Sequence, residues 1–387
     1  DWELVQEKLL TLEQSDDIAA RWEMTPKQFP DQDKLISAIE NGDIYTYLTS
    51  LLPMEERYRK LVKLLMNYRI MDKFPKIRYS KKSLKMGDSS SRIKEIKKRL
   101  QITGDYPKKA PIDSKFDQTL KNAVITYQKR YLLKVTGEVD RTTTYYLNQP
   151  AKNNIQAIIT NLDKTKLYPK AFENEHIEIN IPDFNLRYYK DQRRVMKKGV
   201  VVGRIDRPTP LFADAISYMV LNPTWTIPDN LIKRDLIPVL RDNPMYLEEN
   251  NIQAFRGKKK VEVTSDMLDP YENSEKRVPF RFVQYPGDTN ALGRVKFMFP
   301  NKYAVYLHDT DNKSLLNRRY KIYSSGCVRL EQPFDLVDTL LVHARGNYSQ
   351  SKIDAILESN EPTTIRLKKR IPVHIIYFTV FEEDGLA

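Results

Sequence analysis

Tyr303-Ala304-Val305-Tyr306-Leu307-His308-Asp309-Thr310 and Tyr323-Ser324-Ser325-Gly326-Cys327-Val328-Arg329-Leu330 are the two stretches on which the reading of this chain turns. Cys327 is the only cysteine in 387 residues and follows His308 by nineteen positions. One thiol makes no internal disulfide, and a lone cysteine among small residues, with a histidine elsewhere to serve it, is the pattern of a nucleophile. The competing reading is a small buried hydrophobe. Ser324-Ser325-Gly326 weighs against that, because such a turn brings backbone N–H groups to a reacting carbonyl. Pro333-Phe334-Asp335-Leu336-Val337 predicts a helix opening just downstream, whose start is expected to favour the thiolate.

A thiolate needs a neutral imidazole to take its proton, and His308 is the best placed of four histidines. His176 opens a strand, His343 follows a helical run and His374 lies in the apolar strand Ile371 to Phe381, so each reads as structural or surface. No two histidines have H-E-x-x-H spacing and one cysteine supplies no thiolate cluster, so no metal is expected. No Gly-rich phosphate loop or dinucleotide fingerprint is present, and no cofactor is expected.

His308, the fifteen residues separating it from Ser324, and the Ser-x-Gly-Cys-x-Arg core together resemble the signature of the L,D-transpeptidases, cysteine enzymes that cross-link bacterial peptidoglycan. The resemblance is closest to the large periplasmic members with a peptidoglycan-binding module. Many smaller relatives have His before Gly-Cys; Ser325 stands there in this chain, which leaves His308 as the base. The resemblance implies that Cys327 attacks the carbonyl between the L-centre of meso-diaminopimelate and the terminal D-alanine of a tetrapeptide stem. His308 would act as general base and then acid. The resulting thioester would pass to the side-chain amine of a second stem, giving a 3-3 cross-link, or to water, giving a carboxypeptidase outcome. A non-catalytic wall-binding protein is the third reading, and intact His308 and Cys327 argue against it.

The amides of Gly326 and Cys327 are the expected oxyanion donors. Arg329, two residues past the thiol, is suited to a stem carboxylate. Tyr306 shares a strand face with His308. Ser324, Ser325, Asp309 and Thr310 complete the expected substrate site, the last two more as props for His308 than as reactants. Trp225, in Asn222-Pro223-Thr224-Trp225-Thr226-Ile227-Pro228, reads as a wall of the donor cleft or as ordinary core. Carbapenem-type inhibitors are expected to acylate Cys327.

Length and composition frame this site. A chain of 387 residues exceeds one typical domain, and 41% hydrophobic residues suffice for real cores. No stretch approaches the roughly 18 apolar residues of a membrane span. Asp1 in place of Met leaves any export signal or membrane anchor to residues before it, so a periplasmic or cell-envelope location is inferred from the substrate. Lys+Arg 64 against Asp+Glu 51 gives +13, attractive to polyanions in general. The basic residues at Lys81-Lys82, Lys94 to Arg99, Lys258 to Lys260 and Lys368 to Arg370 follow no nucleic-acid motif and read as solvated faces, so no nucleic-acid partner is expected.

The expected fold is a multidomain α+β chain. Residues 1–80 carry helical periodicity (Leu4, Leu9, Leu10; Leu35, Ile36, Ile39; Leu61, Leu64, Leu65, Tyr68), cut by Pro30 and Pro53, and read as a helical scaffold with a return helix in 151–170. Residues 81–150 resemble the three-helix peptidoglycan-binding module, with departures at Asp117 (usually Gly), Leu120 (usually Thr) and Thr136 (usually Asp). These make the module either a glycan-strand binder or a spacer. Residues 176–387 read as a mostly β catalytic domain, with Arg207-Pro208-Thr209-Pro210 resembling the family's Thr-Pro turn. An insertion at about 228–285, helical at Asn230 to Leu240 and Met245 to Asn250, is expected to cap the cleft. Thr363 to Leu367 and Val373 to Phe381 read as two closing strands.

Overall fold

The computed structural model describes residues 32–52, 54–71, 76–131 and 133–381. Leu4, Leu9, Leu10, Pro30 and Pro53 lie outside them. The chain divides into two compact units, one holding 32–172 with 378–381 and the other 173–377.

In the first unit, α1 (Gln32–Glu40) and α2 (Ile44–Ser50) precede α3 (Glu55–Met71), and α7 (Ala151–Thr165) returns along α3. Leu61, Leu64 and Tyr68 recur at the three-to-four spacing of one helix face and bury against Ala151, Ile158 and Leu162. Residues 378–381 complete this core: Arg57 lies over the Phe378 ring, and Asn161 bonds the hydroxyl and amide of Thr379, 218 positions away.

Between α3 and α7 sits a module of α4 (Ser91–Ile102), α5 (Gln118–Arg130) and α6 (Arg141–Leu147), opened by Ser90, Asp117 and Asp140, each accepting a hydrogen bond from the first turn it caps. Ile93, Ile96, Leu100, Leu120, Val124 and Leu147 fill its interior. The departures from the module's usual residues are built into this packing. Asp117 caps α5 and pairs at 2.8 Å with Lys97, whose side chain is 0% exposed; Leu120 is core; the Thr136 hydroxyl accepts from Gln128 at 3.2 Å.

The second unit is mostly β. Its strands are β1 (Glu175–Asn180), β2 (Asn185–Lys190), β3 (Arg193–Gly203), β4 (Ala213–Leu221), β5 (Trp225–Thr226), β6 (Ile252–Arg256), β7 (Lys259–Val261), β8 (Arg281–Gln284), β9 (Val295–Met298), β10 (Leu307–His308), β11 (Ile322–Ser324), β12 (Val328–Leu330) and β13 (Thr363–Ile376). Nine form one sheet in the order β11-β3-β12-β10-β9-β4-β13-β1-β2, and pairing of β2 with β3 closes that sheet on itself. The expected final two strands are the single β13, whose register slips between Arg366 and Ile371, and it ends at Ile376 rather than reaching Phe381.

Between β4 and β9 lies the insertion. Helices run through Asp229–Leu231, a π-helical turn at Ile232–Leu236, Ile237–Asp242 and Tyr246–Glu249. It also contains a four-stranded sheet, β5-β8-β6-β7, which the helix-only expectation lacked. Ile232, Leu236, Ile237, Leu240, Ile252, Leu268, Phe280 and Phe282 give the insertion its own core.

Candidate active site

The fold lays the two decisive segments side by side. β10 runs parallel to β12, with Leu307 opposite Val328 and His308 opposite Arg329, and antiparallel to β9, with His308 opposite Lys296. Side chains alternate along a strand, so Tyr306, His308, Lys296 and Arg329 share one face, beside the residue that immediately precedes β12. That residue is Cys327.

The turn carrying the thiol is held by hydroxyls. Gly326 adopts φ +118°, a conformation open to glycine. Ser324 Oγ donates to the Cys327 carbonyl at 2.5 Å and accepts from the Gly326 amide at 3.1 Å. Thr209 Oγ1 donates to the Gly326 carbonyl at 2.8 Å and accepts from the Gly203 amide at 2.9 Å. The Gly326 amide is therefore occupied, which corrects the expectation that it donates to an oxyanion. The Cys327 amide has no partner among the described hydrogen bonds.

Cys327 Sγ reaches the Ala304 carbonyl at 3.9 Å. Desolvation pushes its thiol up to about 11, against the pull of Tyr306 hydrogen bonds and of the charges on Arg329 and Lys296. Helix Pro333–Leu341 does open downstream. The resting group is a thiol, not the thiolate expected from a nearby helix start.

His308 is 4% exposed and its Nδ1 lies 2.5 Å from the Asp309 carbonyl. That acceptor keeps the proton on Nδ1 and leaves the Nε2 lone pair as the basic site. Burial, reinforced by Arg329 and Lys296, lowers the imidazole to about 3, so it is neutral at any working pH. The Asp309 carboxylate accepts from the Arg294 amide at 2.9 Å, and the Thr310 hydroxyl accepts from Arg329 at 3.3 Å. Asp309 and Thr310, 4% and 1% exposed, brace the strand end through these bonds. Burial holds the Tyr306 phenol well above its usual value, and the nearby Cys327 adds to this while Trp225 opposes it, so Tyr306 lies between the insertion's first strand and the thiol. Ser325 is exposed, and its hydroxyl accepts from Arg207 at 3.0 Å.

Three contributors were absent from the expected site. Arg207 holds Asp235 on the insertion's π-helical turn through two hydrogen bonds, at 2.6 and 3.0 Å, while reaching Ser325. Thr209 anchors the turn, and Lys296 faces His308. The signal for Lys296 was present in Val295-Lys296-Phe297-Met298, where alternation sets a cation on the face opposite buried Val295 and Phe297. The other histidines bond glutamates or nearby carbonyls: His176 with Glu173 O, His343 with Glu175, and His374 with Glu173. Among the described residues, no group of three or more His, Cys, Asp or Glu is placed to hold a metal ion.

Residues 174–357 fit the family model for an L,D-transpeptidase catalytic domain. This segment belongs to the L,D-transpeptidases. Residues 89–147 fit the model described as "Putative peptidoglycan binding domain". The "Putative L,D-transpeptidase" of Haemophilus influenzae is 34% identical over 233 residues, 60% of this chain and 46% of that protein. The chain thus spans about half that relative's length. Among solved structures, an L,D-transpeptidase from Stackebrandtia nassauensis aligns over 80% of this chain and 98% of its own, at 14% identity and a TM-score of 0.25. An L,D-transpeptidase in complex with imipenem aligns over 53% and 60%, at 11% identity and a TM-score of 0.22.

Proposed function

We propose that this L,D-transpeptidase domain is an active cysteine acyltransferase that forms 3-3 cross-links between diaminopimelate residues of peptidoglycan stems. The observation that carries the proposal is the pairing of β10 with β12, which sets a thiol and a buried neutral imidazole on one sheet face, beside an unoccupied Cys327 amide. With the thiol near 11 and the imidazole near 3, an ion pair does not pre-exist. The proton leaves sulfur as sulfur attacks, and His308 Nε2 takes it in the same step. The Cys327 amide donates to the developing oxyanion, with Lys296 and Arg329 adding positive potential. His308 returns the proton to the departing D-alanine nitrogen, leaving a thioester. The amine of a second stem attacks that thioester, losing a proton to His308, and the thiol is released.

The insertion, with its own core and tied to the nucleophile turn through Arg207, acts as a cap that limits water. Hydrolysis of the thioester is the second reading, favoured by the partial exposure of Cys327. The three-helix module is read as a positioning element on the wall, with glycan as its ligand, and the site of action as the bacterial cell envelope. Among the described residues no helix is long and apolar enough to cross a membrane.

Incubation with purified tetrapeptide muropeptides, followed by mass spectrometry, tests this. Cross-linked dimers with D-alanine release are expected; tripeptides alone would replace the transferase reading with the hydrolase one. A carbapenem is expected to add its mass to the wild-type protein and not to Cys327→Ser.

A further inference from the structure

Lys296 and Arg329 occupy the two register positions that flank His308, one on each neighbouring strand. Lys296 Nζ donates to the Thr224 carbonyl at 3.3 Å and lies 5.8 Å from the Tyr306 ring. Arg329 Nη1 donates to Thr310 at 3.3 Å, while its buried Nε has no hydrogen-bond partner. Neither cation has a carboxylate within ion-pair distance among the described residues; Asp311 attracts Arg329 only from farther away. By contrast, the buried Lys97 is neutralised by Asp113 and Asp117, and Arg130 by Asp105. Two like charges drawn out of water beside a thiol, without a counter-ion, are unfavourable in the folded protein alone.

We propose that Lys296 and Arg329 form a carboxylate subsite that takes a free carboxylate of the peptide acyl donor as the counter-ion the protein lacks. Lys296, outside both motifs, is then a specificity-determining residue. Arg329 offers a planar fork and Lys296 a point charge, so a carboxylate seated between them is both oriented and neutralised. It also screens His308 from the two charges that oppose its protonation, so donor binding readies the imidazole to hold the proton it removes from sulfur. The donor's identity rests on the transpeptidase reading; the anion subsite does not. A stem offers two sources of this chemistry, the terminal D-alanine carboxylate and the carboxylate of diaminopimelate.

The single cysteine allows a test independent of turnover. In the native full chain, the ratio of Cys327 alkylation rates by iodoacetate and by iodoacetamide is expected to exceed that of the denaturant-unfolded chain by about fivefold or more, the effect of one partly desolvated charge pair. Lys296→Met is expected to return the ratio to the unfolded value and Lys296→Arg to retain it; a general change in thiol acidity cancels in the ratio. Acetate, against chloride at equal ionic strength, is expected to slow iodoacetate selectively in the unmodified protein, which needs no variant to fold. A native ratio equal to the unfolded one, a ratio unmoved by Lys296→Met, or no acetate effect would overturn the subsite. With muropeptides, amidating the D-alanine carboxylate or that of diaminopimelate identifies the source by which raises KM. A retained alkylation preference with no donor turned over would leave the subsite standing and remove the transpeptidase reading.

Discussion

Lys97, fully buried in the three-helix module, and Lys296, half-buried in the closed sheet, are both ammonium groups drawn at least partly out of water, and their surroundings answer that cost differently. Lys97 has Asp113 and Asp117 each at 2.8 Å and the Tyr106 ring at 5.3 Å. Desolvation acts to lower it, but those hydrogen bonds prevail and hold it above the ordinary lysine value. Lys296 has a carbonyl and an aromatic ring, and desolvation holds it below that value. A neutralised interior charge serves the fold; one left open faces whatever enters the cleft.

The largest effect that sharpens this contrast is expected at the imidazole between the open charges. His308→Gln should lower kcat for acyl transfer by about 10²–10⁴, the usual worth of a general acid–base, while leaving the melting temperature unchanged or higher. An equal loss of stability would make His308 a structural residue and break the comparison. Next, Lys97→Met should destabilise the module by about 2 kcal/mol, less than a fully buried pair would lose, because Asp113 and Asp117 remain roughly 45% and 38% exposed and rehydrate. Lys296→Met should cost no stability. Hydrogen exchange in residues 91–130 and in β9 reads the two changes separately, and a loss at β9 equal to that in the module would erase the distinction.

pH separates the regions further. Cys327, raised to about 11, should react with iodoacetamide at a rate that climbs through neutral pH without a plateau near 7. His308 is depressed below its unfolded value, so between about 6.5 and about 3 the unfolded chain binds the extra proton. Its depressed pKa therefore costs the fold nothing above about 6.5 and destabilises it increasingly as pH falls toward 3. The melting temperature of the unmodified chain minus that of His308→Gln, followed across this range, checks the sign. The smallest effect is expected at the insertion: Asp235→Asn loosens a half-exposed ion pair and should lower the ratio of cross-linked product to tripeptide by no more than about fivefold.

Local pattern made much of this legible. Ser90, Asp117 and Asp140 announce three helix starts, and alternation in Ile177-Glu178-Ile179 announces β1. The Cys327 and His308 segments were readable because thiol and imidazole are rare in this chain. What escaped depends on pairing between distant segments. Lys296 gains its meaning only from lying opposite His308, a register no single strand encodes. The Gly326 amide reads as a free donor until the Ser324 hydroxyl is seen to occupy it. Lys258 to Lys260 are solvated, as their charge suggests, yet Lys259 and Lys260 form an edge strand after the Gly257 turn. Lysines on an edge protect it from further pairing, and the same charges hid the strand from a reading based on apolar alternation.

The hydrogen bonds between Asn161 and Thr379 bear on how the polypeptide is made. On the ribosome, α3 and α7 emerge long before Phe378 and Thr379, so the helical pair waits with an unfinished flank until the whole β unit has been synthesised. Emergence of those few residues is the event that seals the earlier-made half, which binds maturation of the first unit to translation of the second.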